Sequence, residues 1–98
     1  MKIPVHMLAF MNGEIREVTL ENEVSLDEVF RLGQNEFQPV PGRCSVSVGD
    51  VIEMGGKYHI VEPVGFREMP PEEFALYKAM DRDKRYLHRY GILVEDSP

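Results

Sequence analysis

The sequence predicts an α+β fold: a curled, mainly antiparallel sheet of about five strands, with one short helix and one longer C-terminal helix. Three observations lead there. Apolar and polar residues alternate in short runs between residues 44 and 69. Asn12-Gly13 and Gly55-Gly56 are tight-turn pairs with apolar runs on either side. Two helix starts, at Ser25 and at Pro70-Pro71, lie outside those runs.

Ile3 to Phe10 reads as the first strand, with Ile3, Val5, Met7 and Ala9 on one side and Pro4, His6, Leu8 and Phe10 on the other. Asn12-Gly13 then turns the chain into Glu14 to Leu20. Arg16, Val18 and Leu20 share one face of that strand; Ile15, Glu17 and Thr19 share the other. A bulge near Arg16 would bring Ile15 to the apolar side, but an ordinary strand with one mixed face needs no such device. Ser25 suits an N-cap, Glu28 at N3 completes a capping box, and Val24 with Val29 suits a hydrophobic staple. That helix runs from Leu26 to about Leu32, with Gly33 to end it. So few turns do not hold in water alone, so the helix must lie on the sheet.

Gln34 to Arg43 is a connection punctuated by Pro39, Pro41 and Gly42, with Pro41-Gly42 suited to a type II turn and Phe37 and Val40 tucked beneath. It is also a candidate binding loop. Val46 and Val48 alternate with Ser45 and Ser47 as a strand would. Gly49-Asp50 makes a bend, where Asp50 can accept from the backbone amides that follow. Val51 to Met54 and Lys57 to Glu62 flank Gly55-Gly56 as a hairpin, Pro63 stops the second strand, and Val64 to Met69 is the last full one. Pro70-Pro71-Glu72-Glu73 opens a helix over about 71–90, closed by Gly91. On it Leu76, Ala79, Met80, Leu87 and Tyr90 form an apolar arc, which Asp83 interrupts. Ile92 to Val94 suits a short edge strand.

Ninety-eight residues, 43% of them hydrophobic, suit one domain with one core. A single cysteine, Cys44, excludes an internal disulfide framework and an all-cysteine metal knuckle. No apolar run spans a membrane and no signal peptide is visible, so the expected location is cytoplasmic. The net charge of −6 disfavours wrapping nucleic acid over the whole surface. Charge is uneven: residues 1–73 carry 6 basic and 13 acidic groups, and residues 74–98 carry 5 and 4.

The most unusual feature is a row of cations. Lys78, Arg82, Arg85 and Arg89 follow i, i+4, i+7, i+11, which on one helix spans an arc of about 60° opposite the apolar arc. Such a stripe suits an acidic partner or a phosphate backbone; it also suits a solvated face near the negative end of a helix. The catalytic candidates are weaker. His6, His59 and His88 have no second ligand at metal spacing, although His59 is within reach of Glu62 or Asp50 across the hairpin. Arg43 beside Cys44 suits an activated thiol, but no base accompanies it. No motif calls for a cofactor.

Residues Ser45, Ser47, Val48, Gly49, Asp50, Val51 and Ile52, then Tyr58, Val64, Gly65 and Phe66, form a pattern S-x-S-V-G-D-V-I … Y-x-V … V-G-F-x-E-x-P, with Ile60 at its valine. Over residues 28–70 or so, with Asn35, the chain resembles the YodL-like and related small domains of bacterial plasmid- and phage-associated proteins. That resemblance implies a mobile-element setting and no defined activity.

The expected function is a non-enzymatic interaction module that takes a protein partner. Its candidate contact residues are Lys78, Arg82, Arg85 and Arg89 on the long helix and Pro39, Val40, Pro41 and Arg43 in the loop. The alternatives are a nucleic-acid-binding accessory protein that uses the cationic stripe, and a small enzyme of unknown class.

Overall fold

The computed structural model describes residues 1–21, 25–38, 40, 42 and 44–90. Five strands, β1 (Lys2–Met7), β2 (Glu14–Thr19), β3 (Val51–Met54), β4 (Lys57–Val61) and β5 (Phe66–Met69), form one open sheet in the order β2-β1-β3-β4-β5. Every neighbouring pair is antiparallel. The helices are α1 (Leu26–Leu32), α2 (Pro71–Ala79) and α3 (Arg82–Arg89).

Both faces of the sheet are covered, and strand alternation assigns the residues. Ile3, Val5, Met7, Val18, Ile52 and Val61 face α1, where Val29 is fully buried. Val51, Ile60, Met69 and Leu8 face α2, which buries Phe74 and Tyr77. The Tyr58 ring lies parallel to Phe74 with centroids 3.9 Å apart. That stack adds about 0.5–1.5 kcal/mol to the burial of the rings. At the β2 end, this second face is open, and Ile15 is half exposed. The β1–β2 register runs from Lys2↔Thr19 to Met7↔Glu14 without a bulge, so Arg16 and Val18 face inward and Ile15 outward.

The Gly55-Gly56 hairpin forms as expected, with φ of 64° and 74° and Met54 opposite Lys57. The first hairpin differs. Strand β1 ends at Met7, and residues 8–13 form a longer connection closed by Gly13 N–H donating to Met7 O. The cause is Asp50, whose Oδ1 accepts from the Leu8 and Ala9 amides at 2.8 Å each and draws them out of the ladder.

Ser25 Oγ caps α1 by accepting from Glu28 N–H. The Glu28 carboxylate turns instead to Arg31, which holds it below the usual carboxylate range. Val24, the other half of the staple, lies outside the described residues. Gly33 closes α1 for a steric reason. Its φ is −74°, but a Cβ there would stand 2.4 Å from Val46 Cγ2. Residues 44–47 belong to no strand, and Val48 stands in the turn with Gly49. Val46 N–H donates to Gly33 O and Val46 O accepts from Gln34 Nε2, so the end of α1 satisfies this segment. Phe37 is not tucked in; it is exposed, with the Arg31 guanidinium 5.2 Å above its ring.

The single helix over 71–90 is two helices. Met80 has extended geometry with ψ of 155°, and Asp81 caps α3 by accepting from Lys84 N–H at 2.8 Å. The apolar arc changes with it. Phe74 and Tyr77 point to the sheet, whereas Leu76 and Ala79 face outward. Asp83 interrupts no buried arc, because it sits exposed in the first turn of α3. Val64 is exposed in the turn before β5. Residues Ile92 to Val94 lie outside the described residues.

Candidate interaction surface

Four polar side chains set the geometry where the end of β1 meets α3. Asp50 is the first. Its side chain is buried and accepts from Leu8, Ala9 and Ser47 amides, all at 2.8 Å. The expected acceptance from amides following Asp50 is replaced by acceptance from amides before it. Burial pushes Asp50 up to about 6, against the pull of those three amides and of the Arg89 charge.

Arg85 is the second. It is 5% exposed and the one wholly buried residue of α3 among those described. Its Nε donates to Tyr77 O at 3.0 Å and its Nη2 to Lys78 O at 3.1 Å. Its Nη1 donates to Leu8 O at 3.2 Å and Met11 O at 3.3 Å. The guanidinium thus lies at the C-terminal end of α2, where orphan carbonyls and the helix dipole favour a cation. It also ties residues 8–11 to α3.

Tyr77 and Arg89 complete the set. Tyr77 Oη donates to Gly49 O at 2.6 Å, and burial raises its phenol above the ordinary range. Arg89 Nη1 is 3.4 Å from Tyr77 Oη. The Arg89 guanidinium lies over Gly49, where φ is 100° and an added Cβ would stand 2.5 Å from Nη1. Nearby, Glu73 accepts from Arg67 through both oxygens and meets His88 Nε2 at 3.0 Å. Arg67 holds Glu73 below the usual carboxylate range.

These clamps leave an exposed aromatic surface beside them. Phe10, Tyr86 and Tyr90 are 59%, 53% and 56% exposed. The Tyr86 and Tyr90 centroids lie 4.9 Å apart, and Arg89 lies 5.4 Å above the Tyr86 ring. A cleft of about 220 Å³ opens among Ala9, Phe10, Arg82, Asp83, Tyr86 and Arg89.

The four cations of the sequence row do not form a stripe. The break at Met80-Asp81 puts Lys78 on α2, where its ammonium stands 6.0 Å above the Phe74 ring. Arg82 is exposed on α3, Arg85 is buried and Arg89 is half-buried. Arg82 and Arg89 come together at the cleft; Arg85 serves the fold. In the loop, Val40 is half-buried, while Pro39, Pro41 and Arg43 lie outside the described residues. Phe10, Tyr86 and Tyr90 escaped the sequence reading, because Phe10 sat in an assumed strand and the tyrosines on an assumed long helix. Asp81, a good N-cap three residues before Lys84, was the signal for the break.

The other candidates are placed as follows. His6 is buried, with Nε2 2.9 Å from Glu53 Oε1 and its ring against Phe74. His59 lies between Ile52 and Glu68 in the sheet and makes no hydrogen bond to Glu62 or Asp50. The Cys44 thiol is exposed, and its carbonyl accepts from Arg16 at 2.9 Å. Among the described residues, no group of three or more His, Cys, Asp or Glu is placed to hold a metal ion. No described helix is long and apolar enough to cross a membrane.

Comparison with protein-family models, with curated proteins and with solved structures gives no match.

Proposed function

We propose that this chain is a non-enzymatic interaction module that binds a protein partner through the surface formed by Phe10 and α3. The observation that carries the reading is three aromatic rings, each more than half exposed: Phe10 and Tyr86 line a cleft with Arg82 and Arg89, and Tyr90 lies against Tyr86. Aromatic residues and arginine are the types most enriched where partner proteins bind tightly. The surface is also held in advance. Asp50 fixes the amides of Leu8 and Ala9, and Arg85 fixes the carbonyls of Leu8 and Met11. A partner therefore meets rings whose backbone needs little further ordering, which favours affinity. Asp50, Glu73 and His88 already engage partners within the fold, which supports a role in holding backbone and helices rather than in chemistry. A cytoplasmic location and a bacterial plasmid or phage setting belong to the same proposal, and the setting rests on the resemblance over residues 28–70.

A photoreactive amino acid at position 86 tests it in the source cells. A discrete protein adduct is expected there and not from position 15 on the open sheet face, and Phe10→Ala should abolish it. Equal labelling from both positions would refute the reading. The interleaving of Arg82 and Arg89 with exposed rings also favours single-stranded nucleic acid as a second reading. Fluorescence anisotropy with an oligonucleotide at low and physiological salt tests that one: no binding at low salt removes it.

A further inference from the structure

The cleft at Phe10 has a size and charge that narrow the partner's chemistry. We infer that it receives one apolar side chain from an acidic segment of the partner, whose flanking carboxylates sit on Arg82 and Arg89. This inference rests on the interaction-module reading and adds the chemistry of what is bound.

Size comes first. The cleft measures about 220 Å³. Sites for small molecules and cofactors are usually ~300–1,000 Å³. This one suits a single side chain. Ala9, Phe10 and Tyr86 are among its lining residues, so the inserted group should be apolar or aromatic.

Charge comes next. Arg82 is exposed and makes no ion pair among the described residues. Arg89 lines the cleft; its Nε is buried and its Nη1 turns to Tyr77 Oη at 3.4 Å, which leaves Nη2 as its donor for a partner. Arg82 can meet a carboxylate through two parallel hydrogen bonds, and Arg89 can meet one through Nη2. Residues 74–90 carry 5 basic and 2 acidic groups within a chain of net charge −6. A short acidic segment meets this local positive field. A long polyanion would run on into the acidic remainder of the chain. Asp83 suits the peptide case, because it can accept from a backbone N–H.

The test is an NMR titration of the full ¹⁵N-labelled chain with defined probes: acetyl-Asp-Glu-Phe-Glu-Asp-amide, its Phe-to-Ala analogue, the lysine version acetyl-Lys-Lys-Phe-Lys-Lys-amide, and a short oligothymidine. The acidic Phe peptide should shift the amides of Phe10, Arg82, Tyr86 and Arg89, and salt should weaken it. Arg82→Glu, an exposed change that leaves the clamps intact, should weaken binding about tenfold, equivalent to about 1.4 kcal/mol. The Ala and lysine analogues should bind less. If the lysine peptide shifts the same amides as strongly, the acidic-segment inference falls and the interaction surface stands. If oligothymidine shifts them more than any peptide, the inference and the protein-partner reading both fall. If no probe shifts them, the inference is overturned, and the position-86 cross-link decides separately whether the surface binds protein.

Discussion

Replacing Arg85 with methionine keeps much of the apolar stem and removes all five guanidinium donors. Four carbonyls then lose a partner: Tyr77 O, Leu8 O, Met11 O and Lys78 O. Met11 O and Lys78 O sit at partly buried contacts, where water can replace the arginine. Tyr77 O keeps the Met80 N–H at 3.2 Å, whereas Leu8 O sits at a buried contact and would be stranded. A buried unsatisfied acceptor costs ~1–3 kcal/mol, so the loss should be about 2 kcal/mol. For a domain of this length that lowers Tm by about 8–16 °C. Arg82→Met is the control. Arg82 occupies the same helix one turn earlier but is exposed and unpaired, so its loss should change stability by less than about 0.5 kcal/mol. Thermal and urea unfolding followed by circular dichroism would read both variants. If Arg85→Met and Arg82→Met melt together, the carbonyl cage does not hold α3, and the account of how Phe10 is positioned fails. Arg85→Lys should recover little, because an ammonium cannot reach four acceptors spread over two segments.

Other expectations follow from the same contacts. Asp50 has a folded-state value of about 6, above the ordinary 3.8, so its contribution is fully present below about pH 3.8 and is lost as pH rises through about 6. The stability of the native chain relative to Asp50→Asn should therefore shrink by about 2 kcal/mol between pH 4 and 7; a difference that grows with pH would mean the amides outweigh burial. Gly49→Ala should cost about 1–3 kcal/mol in urea unfolding, since φ is 100° and the new Cβ meets the Arg89 guanidinium; a neutral result would show that Arg89 moves away freely. Gln38→Ala should raise hydrogen exchange at Thr19, because the Gln38 amide both accepts from Thr19 N–H and donates to Thr19 O at 2.9 Å, as a neighbouring strand would. Protection unchanged at Thr19 would remove that role. Phe10→Ala and Tyr86→Ala should leave Tm within a few degrees, in contrast to Tyr77→Phe, which strands Gly49 O.

Much of the local structure was legible in the amino acids. Val18 and Leu20 face the core and Glu17 and Thr19 do not, because strand side chains alternate whatever the partner. Gly55-Gly56 turns where it should, because two successive positive φ values are cheap only for glycine. Ser25 caps α1 through a contact three residues long. The short α1 and the sheet it covers were likewise readable from periodicity and caps.

What escaped was decided across the fold. Asp50 reaches Leu8 across 42 positions and Arg85 reaches it across 77. No window of sequence shows either contact, yet the first ends β1 early and the second removes a cation from the surface. The helical row of Lys78, Arg82, Arg85 and Arg89 was sound arithmetic for one straight helix. It failed because Asp81 offered a cap in the middle, and because carbonyls at the end of α2 held the Arg85 guanidinium better than water did. Sequence by itself determined which residues alternate, turn and cap, because those preferences are settled within a few residues. Only the tertiary structure decided which charges are buried and which rings stay exposed, because both depend on polar groups that meet only when distant segments are packed together.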